Sequence, residues 1–456
     1  MKVPGKTVLA LVALFLAGSS FGEDQTAITL SLQQALKIAL EKNPERKAVM
    51  ANTKATHADV QAARSLLMPR LMFSETATRG NDSVYVFGSR LRQRRFTSGD
   101  FALNQLNTPF PLGNFATKFA GNWNLFDSFA SWHAVSRAQS LNDAATQQLA
   151  RADQEIAFKV IDGYERLALV RRQLEVAEQS LRTALAIADR SQARFEAGLV
   201  VESDPLSAKV RVAAREQDLI RAKNNVLIAQ AELNTAIGLP LETAVTPTNA
   251  LAERDLPVPA LAELEKTALD MRPDLKQIQS EETAQRQSVS IAKSSFGPRV
   301  NAYASWESDN PTFLAGGGGN NWVGGIELQL DIFQGGAKRA QLARERALEE
   351  RVTAMKQAAN NGVRLEVRRA FYELDATRQQ LEVARAAITQ AKESMRMNQD
   401  RYEGGLTTIT EILSAEEALR RSQVDYWEAV YRLHSNYASL ELASGTLTMQ
   451  SPLVTP

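Results

Sequence analysis

Arg401-Tyr-Glu-Gly-Gly-Leu-Thr-Thr-Ile-Thr-Glu-Ile-Leu-Ser-Ala415 has a near-copy earlier in the chain, Arg194-Phe-Glu-Ala-Gly-Leu-Val-Val-Glu-Ser-Asp-Pro-Leu-Ser-Ala208. In each, a Gly-Leu pair interrupts two long helical patterns. Glycine is the residue that ends a helix in a left-handed conformation. The pair of stretches therefore reads as two equivalent corners, each joining two long helices. Asp204-Pro205 is expected to cap and open the helix after the first corner.

Upstream of the first corner, Trp132 to Phe195 runs without proline. Ile156, Val160, Gly163, Leu167, Val170, Leu174, Ala177, Leu181, Ala184 and Ala188 recur at alternating spacings of three and four. That is a coiled-coil seam, rich enough in alanine for close helix approach. At 1.5 Å per residue such a helix reaches on the order of 95 Å. The expected long helices are 132–195 and 204–237, then 337–402 and 409–444.

The two halves are a tandem repeat. Pro44 corresponds to Pro273 and Pro69-Arg70 to Pro298-Arg299, an offset of 229 residues. From Gln173 and Gln380 onward the offset is 207, and it holds at Gly198 and Gly405 and at Gly238 and Gly445. The 22 residues lost between the two offsets fall in the segment between the helices. Helices of fixed length with a loop of variable length keep their register while the loop faces open solvent. The organisation is a first repeat at 23–239, a linker at 240–260 containing Pro247, Pro257 and Pro259, a second repeat at 261–447 and a tail at 448–456.

Within each repeat the helical pattern yields to alternation. Phe115, Thr117, Phe119, Gly121, Trp123 and Leu125 share one face of a strand, and Asn114, Ala116, Lys118, Ala120, Asn122 and Asn124 the other. Trp322, Gly324, Ile326, Leu328, Leu330 and Ile332 repeat the pattern. The expected β-hairpins are 70–126 and 299–333, with loops near Gly88–Gly99 and Gly316–Gly319. Strands of this length suit a membrane crossing. Four of them cannot close a barrel, and lipid does not tolerate open edges. The chain is thus expected to oligomerise.

The rest of the composition excludes more than it adds. The 53 basic and 52 acidic residues balance, which argues against a nucleic-acid partner. There is no cysteine, so no disulfide, thiol nucleophile or lipidated N-terminus. His57, His133 and His434 have no ligand spacing, no nucleophile–base pair is evident, and no metal, cofactor or catalytic site is expected. The glycine run lacks a following Gly-Lys-Ser/Thr, so it is no P-loop. Lys2 and Lys6, the apolar run Val8–Ala17, and Ser20 and Gly22 read as a signal peptide over 1–22. Arg90, Arg92, Arg94 and Arg95 make a basic cluster in the first hairpin, suited to lipid phosphates or simply to water.

The duplication, the two hairpins, Pro-Arg entering the first strand, and the motifs Arg194–Leu199 and Arg401–Leu406 resemble the TolC-type outer membrane efflux proteins over essentially the whole mature chain. The resemblance implies a homotrimer, with a twelve-strand β-barrel in outer-membrane lipid and a long α-barrel through the periplasm. It implies docking of Gly198, Leu199, Gly405 and Leu406 on a periplasmic membrane fusion (adaptor) protein, coupled to an inner-membrane pump of the resistance-nodulation-division (RND) or ABC type. It implies a periplasmic gate, in which Tyr402 matches the family's gate tyrosine, Asp204 its hydrogen-bonding aspartate and Glu411 one position of an acidic ring. Thr407 and Ser414 depart from the pattern, where an arginine and a second acid are expected, so fewer ion pairs should hold this gate. The expected function is a passive exit duct for efflux, with the outer component of a type I protein secretion system as the alternative. A structural periplasmic coiled coil fits the alternating strands less well.

Overall fold

The computed structural model describes residues 28–249, 251–313 and 319–454. The expected signal peptide and most of the Gly316–Gly319 run lie outside these residues.

Each repeat opens with a helix pair split by proline. In the first, α1 (Leu32–Lys42) meets α2 (Pro44–Arg64) at Asn43, whose side chain accepts from the Glu45 and Arg46 amides at 2.8 and 3.2 Å. Pro44 needs no donor at the first helical position, so the break costs the second helix nothing. Two strands follow, β2 (Arg70–Gly80) and β3 (Leu112–Phe126). The segment between them is not a plain loop. It folds as α3 (Ser83–Arg92), a 3-10 turn at Ser98–Phe101 and α4 (Leu103–Asn107). Then come α5 (Ala130–Glu196) and α6 (Ser203–Ile237). The second repeat supplies α7 (Leu261–Met271), α8 (Pro273–Ser294), β5 (Arg299–Asn310), β6 (Asn320–Gln329), α9 (Ala337–Glu403) and α10 (Ile409–Ser444). β6 stops at Gln329, earlier than the alternation through Ile332 suggests; Leu330, Ile332 and Phe333 continue as exposed non-strand chain.

The four long strands form one antiparallel sheet in the order β2-β3-β5-β6. The register lines up Phe73, Phe119, Trp306 and Trp322 across all four strands. Phe73 and Phe119 rings lie 5.1 Å apart, and Phe119 and Trp306 rings 6.0 Å apart. This aromatic row stays half or more exposed on most members, with Trp322 at 83%. A one-residue slip would turn the whole row to the other face, so the row pins the register. Both edges of the sheet, β2 and β6, are unpaired among the described residues.

α5 and α9 are 67 residues each, roughly 100 Å of helix. α6 and α2 flank α5, α10 and α7 flank α9, and α8 and α10 join the two repeats by packing on α5. The main core lies midway along the helices, around Tyr164, Leu167, Leu233, Leu374, Val430 and Leu433. There the linker is not patternless. Its β4 (Val245–Pro247) pairs in parallel with β1 (Ile28–Leu30), and the Tyr164 hydroxyl donates to the Leu30 carbonyl at 3.0 Å. Arg254 donates to the Leu453 carbonyl at 2.7 Å and ties the linker to the tail. α6 and α10 end here at Gly238 and Gly445, packed so closely on Asn43 and Arg272 that an added Cβ would meet backbone at 3.0–3.1 Å.

Three members of the basic cluster are spent inside the chain. Arg90 pairs with Asp100, Arg92 with Glu307 at 3.1 Å, and Arg94 donates to the Asn320 carbonyl at 3.0 Å. Arg92 and Arg94 fasten the insertion to β5 and β6, and Arg90 ties the insertion together from within, so the three are not a free lipid-binding patch.

Candidate functional site

Both Gly-Leu corners are Schellman ends. At the first, Gly198 N–H donates to the Phe195 carbonyl at 2.8 Å and Leu199 N–H to the Arg194 carbonyl at 2.9 Å. At the second, Gly405 N–H donates to Tyr402 O at 3.1 Å and Leu406 N–H to Arg401 O at 2.8 Å. Gly198 and Gly405 have φ of +71° and +73°, a region in which an L side chain is strained. The leucine after such a glycine ordinarily packs back on the residue five before it. Here that residue is an arginine, and Leu199 and Leu406 stand 67% and 73% exposed. Together with Val201 and Leu206, also exposed, they give the end of the molecule an apolar surface that the chain itself does not use.

Behind the corners sits a small core separate from the main one, built from Ile187, Ala208, Met395, Tyr402, Ile409, Ile412 and Leu413. Tyr402 is 3% exposed and its hydroxyl has no hydrogen-bond partner among the described residues. The structure therefore does not bring Tyr402 and Asp204 into a hydrogen bond within one chain. Asp204 is half-buried in the first turn of α6 and takes a 3.5 Å contact from the Ser203 hydroxyl. It is not the N-cap: the helix starts at Ser203, and Glu202 occupies the cap without a side-chain bond. Its charge still lies where a helix N-terminus favours an acid. Glu411 is exposed in the first turn of α10, with Ser414 exposed one turn on.

Arg194 is the residue that sequence reasoning passed over. It begins the corner motif, yet its work lies in the other repeat. Its guanidinium donates to the Tyr402 carbonyl at 2.6 Å and the Glu403 carbonyl at 3.3 Å, and it covers the Tyr402 ring at 5.1 Å. A cation on the last carbonyls of α9 opposes the helix dipole and satisfies acceptors that the helix leaves open. Arg190 pairs with Glu403 one turn back. Further from the corners, Arg211 reaches Glu417 at 3.3 Å, and Arg215, 3% exposed, holds Glu416 at 2.7 Å and Asp218 at 2.9 Å and also touches Glu417. Burial works against the Glu417 charge, but Arg420 and Arg215 outweigh it and hold its pKa at about 2. These arginines are a ladder of cross-repeat links running up from the corners.

No group of three metal-ligating side chains gathers among the described residues, and His133 and His434 face Gln287 and Glu165. No described helix is long and apolar enough to cross a membrane.

A four-strand sheet with open edges, continued by two 67-residue helices that end in paired corners, defines an outer-membrane channel component. The sequence profile of the outer membrane efflux protein family matches residues 35–239 and 264–446, one match per repeat, and the chain belongs to that family. It is a family of transport proteins, resident in the outer membrane and extending into the periplasm. The chain is 24% identical to outer membrane protein TolC of Escherichia coli over 98% of its own length and 88% of that protein. It is 23% identical to alkaline protease secretion protein AprF of Pseudomonas aeruginosa, over 93% and 86% of the two chains. Its fold matches the outer membrane channel CmeC of Campylobacter jejuni with a TM-score of 0.78 at 16% identity, covering 99% and 95% of the chains.

Proposed function

We propose that three copies of this chain join their four-strand sheets into one twelve-strand barrel and their helices into one duct. The duct passively conducts cargo delivered by a periplasmic adaptor and an inner-membrane RND or ABC pump. The observation that carries the reading is the pair of unpacked leucines at the corners. Leu199 and Leu406 sit at rigid, glycine-set ends, far from the sheet, where a helical-hairpin partner finds a preformed apolar foothold. Gly198 has open space around it, with nothing among the described residues within 4 Å of an added Cβ. Gly198→Asp, at a site with room for the side chain, is expected to abolish efflux while membrane insertion is unchanged. Unimpaired efflux from a fully inserted variant removes the adaptor from these corners.

The gate is assigned to Tyr402, Asp204 and Glu411. The buried, unpartnered Tyr402 hydroxyl supports this, because leaving a buried donor unsatisfied costs about 1–3 kcal/mol and favours any rearrangement that supplies an acceptor. With Thr407 and Ser414 in place of an arginine and an acid, the acceptor that the family resemblance supplies is Asp204, in the first turn of α6. Single-channel conductance in planar bilayers tests it: Tyr402→Phe should raise the open fraction several-fold, and equal conductance would leave Tyr402 a packing residue only.

A second reading, the outer component of a type I secretion system, is favoured by the similarity to a protein named for protease secretion. The duct is the same in both, and the pump whose loss abolishes export separates them.

A further inference from the structure

The duplication makes a prediction about how copies meet, because one chain already contains the contact in question. In the chain, the first repeat reaches the second: Arg194 sits on the last carbonyls of α9, and α5 packs against α10. The 207-residue offset carries α5 onto α9 to the residue, and α6 onto α10 to within one residue at its start. Around a closed ring the second repeat must in turn reach the first repeat of the next copy. The same offset turns Arg194 into Arg401, and turns its targets Tyr402 and Glu403 into Phe195 and Glu196. It sets α9 against α6 of the neighbour.

The surfaces left open in the single chain are the ones this operation requires. Arg401 is exposed and Phe195 is 37% exposed, whereas Tyr402, its counterpart under Arg194, is 3% exposed. α9 leaves Leu365, Tyr372, Val383 and Met397 uncovered, at returns of 7, 11 and 14 residues that keep them on one helix face. α6 leaves Leu206, Val210, Ile220 and Leu227 uncovered. Two apolar stripes on the two partners of one repeated contact specify a second copy of this chain as the occupant.

The two seams differ chemically. Within the chain, Arg190, Arg194, Arg211 and Arg215 all cross it. Their counterparts in the second repeat are Met397, Arg401, Ala418 and Ser422. The acceptors change as well, Glu416 and Glu417 becoming Lys209 and Val210. Of four arginine links, the offset preserves one.

We propose that Arg401 of each copy caps the broken end of α5 in the next copy, donating to the Phe195 and Glu196 carbonyls and covering the Phe195 ring, and that it is the one arginine link of the four that the copy-to-copy seam retains. This rests on the trimeric duct reading. It makes Arg401 a positioning residue for the tip, and makes the seams between copies the weaker ones, where the ring parts first.

The absence of cysteine makes the test clean. Met397→Cys with Glu196→Cys, the counterparts of the Arg190–Glu403 pair, is treated with a short bismaleimide in the full-length, detergent-extracted protein. The expected products are covalent two- and three-copy species. The control pair Arg190→Cys with Glu403→Cys should crosslink within one chain and give no ladder. Adding Arg401→Ala should lower the copy-to-copy yield and raise the open fraction in bilayers about tenfold, the worth of one charge-assisted hydrogen bond. Arg401→Lys, which keeps the charge but loses the fork, should restore part of both. A single-chain product from particles shown to be trimeric by light scattering overturns the proposal and leaves the duct standing. So does an Arg401→Ala variant with unchanged yield and conductance. A preparation that is monomeric before crosslinking sinks the duct reading and this proposal with it.

Discussion

α5 and α9 are the same helix written twice, 67 residues each, but nineteen residues of α5 are buried and nine of α9. Propensity does not separate them; neighbours do. α5 has α2, α6, α8 and α10 around it, whereas the flank of α9 that corresponds to the α6-facing and α10-facing sides of α5 is only half covered. The same imbalance holds at the corners. The arginines of α5 and α6 find acids and carbonyls in the second repeat, while most of their counterparts in α9 and α10 are no longer arginines. A duplicated chain has let one of its two equivalent faces become a fixed internal joint and has kept the other as an interface.

The largest effect that would break this comparison comes from Arg215. Arg215→Ala strands Glu416, which is 3% exposed, and should destabilise the hairpins by about 3–5 kcal/mol. Ser422→Ala at the equivalent position should change little. Thermal unfolding followed by helical circular dichroism reads both, and a comparable loss at the two sites would erase the distinction between the seams.

A middle-sized effect comes from the two corner glycines. Gly198→Ala and Gly405→Ala each force an alanine to φ near +70°, at about 1 kcal/mol. The Gly405 variant should lose more, because its Cβ would lie 3.4 Å from the Arg194 guanidinium while Gly198 faces open space. Protease sensitivity of the corners should rank Gly405→Ala above Gly198→Ala. Equal sensitivity would mean that Arg194 is not anchored where it is seen.

The smallest effect is a pair of opposing pH slopes. Glu417 is favoured in its charged form, with a folded pKa of about 2 against 4.5. Its contribution is complete above about pH 4.5 and is lost as pH falls from there toward 2. Glu441, at the other end of α10, is pushed up to about 7 by burial, against a bond from Ser451 at 2.5 Å. The fold favours its neutral form, so its contribution is complete below about pH 4.5 and fades as pH rises to about 7. Hydrogen exchange measured along α10 should show the corner end loosening in acid and the far end loosening toward neutrality. Glu441→Gln should flatten only the second slope.

Much of this architecture is legible in the residues, and for identifiable reasons. The long helices are readable to within about two residues because they lack proline and keep three–four spacing, and the corners because glycine and leucine fall where a Schellman end needs them. The parts that escape are set by partners distant in sequence. Val245–Pro247 has no local strand signal and becomes one only by pairing with Ile28–Leu30. α3 and α4 hide among turn-type residues, held by Arg92 and Arg94 on the second hairpin. Asp204-Pro205 looks like a cap, but the helix begins earlier because Ser203 and Asp204 both fit its first turn. Arg194 reads as the first letter of a local motif, and only the folded chain shows it serving a helix end 208 residues away.

The sheet carries one more consequence, a matter of parity. With four strands alternating in direction, β2 and β6 point opposite ways along the two edges. When β6 of one copy lies beside β2 of the next, the up–down alternation continues without a fault. An odd strand count would have forced a parallel pair at every junction, where the hydrogen bonds slant and hold slightly less well. The even count allows identical subunits to tile a cylinder whose wall does not record where one polypeptide stops and another starts.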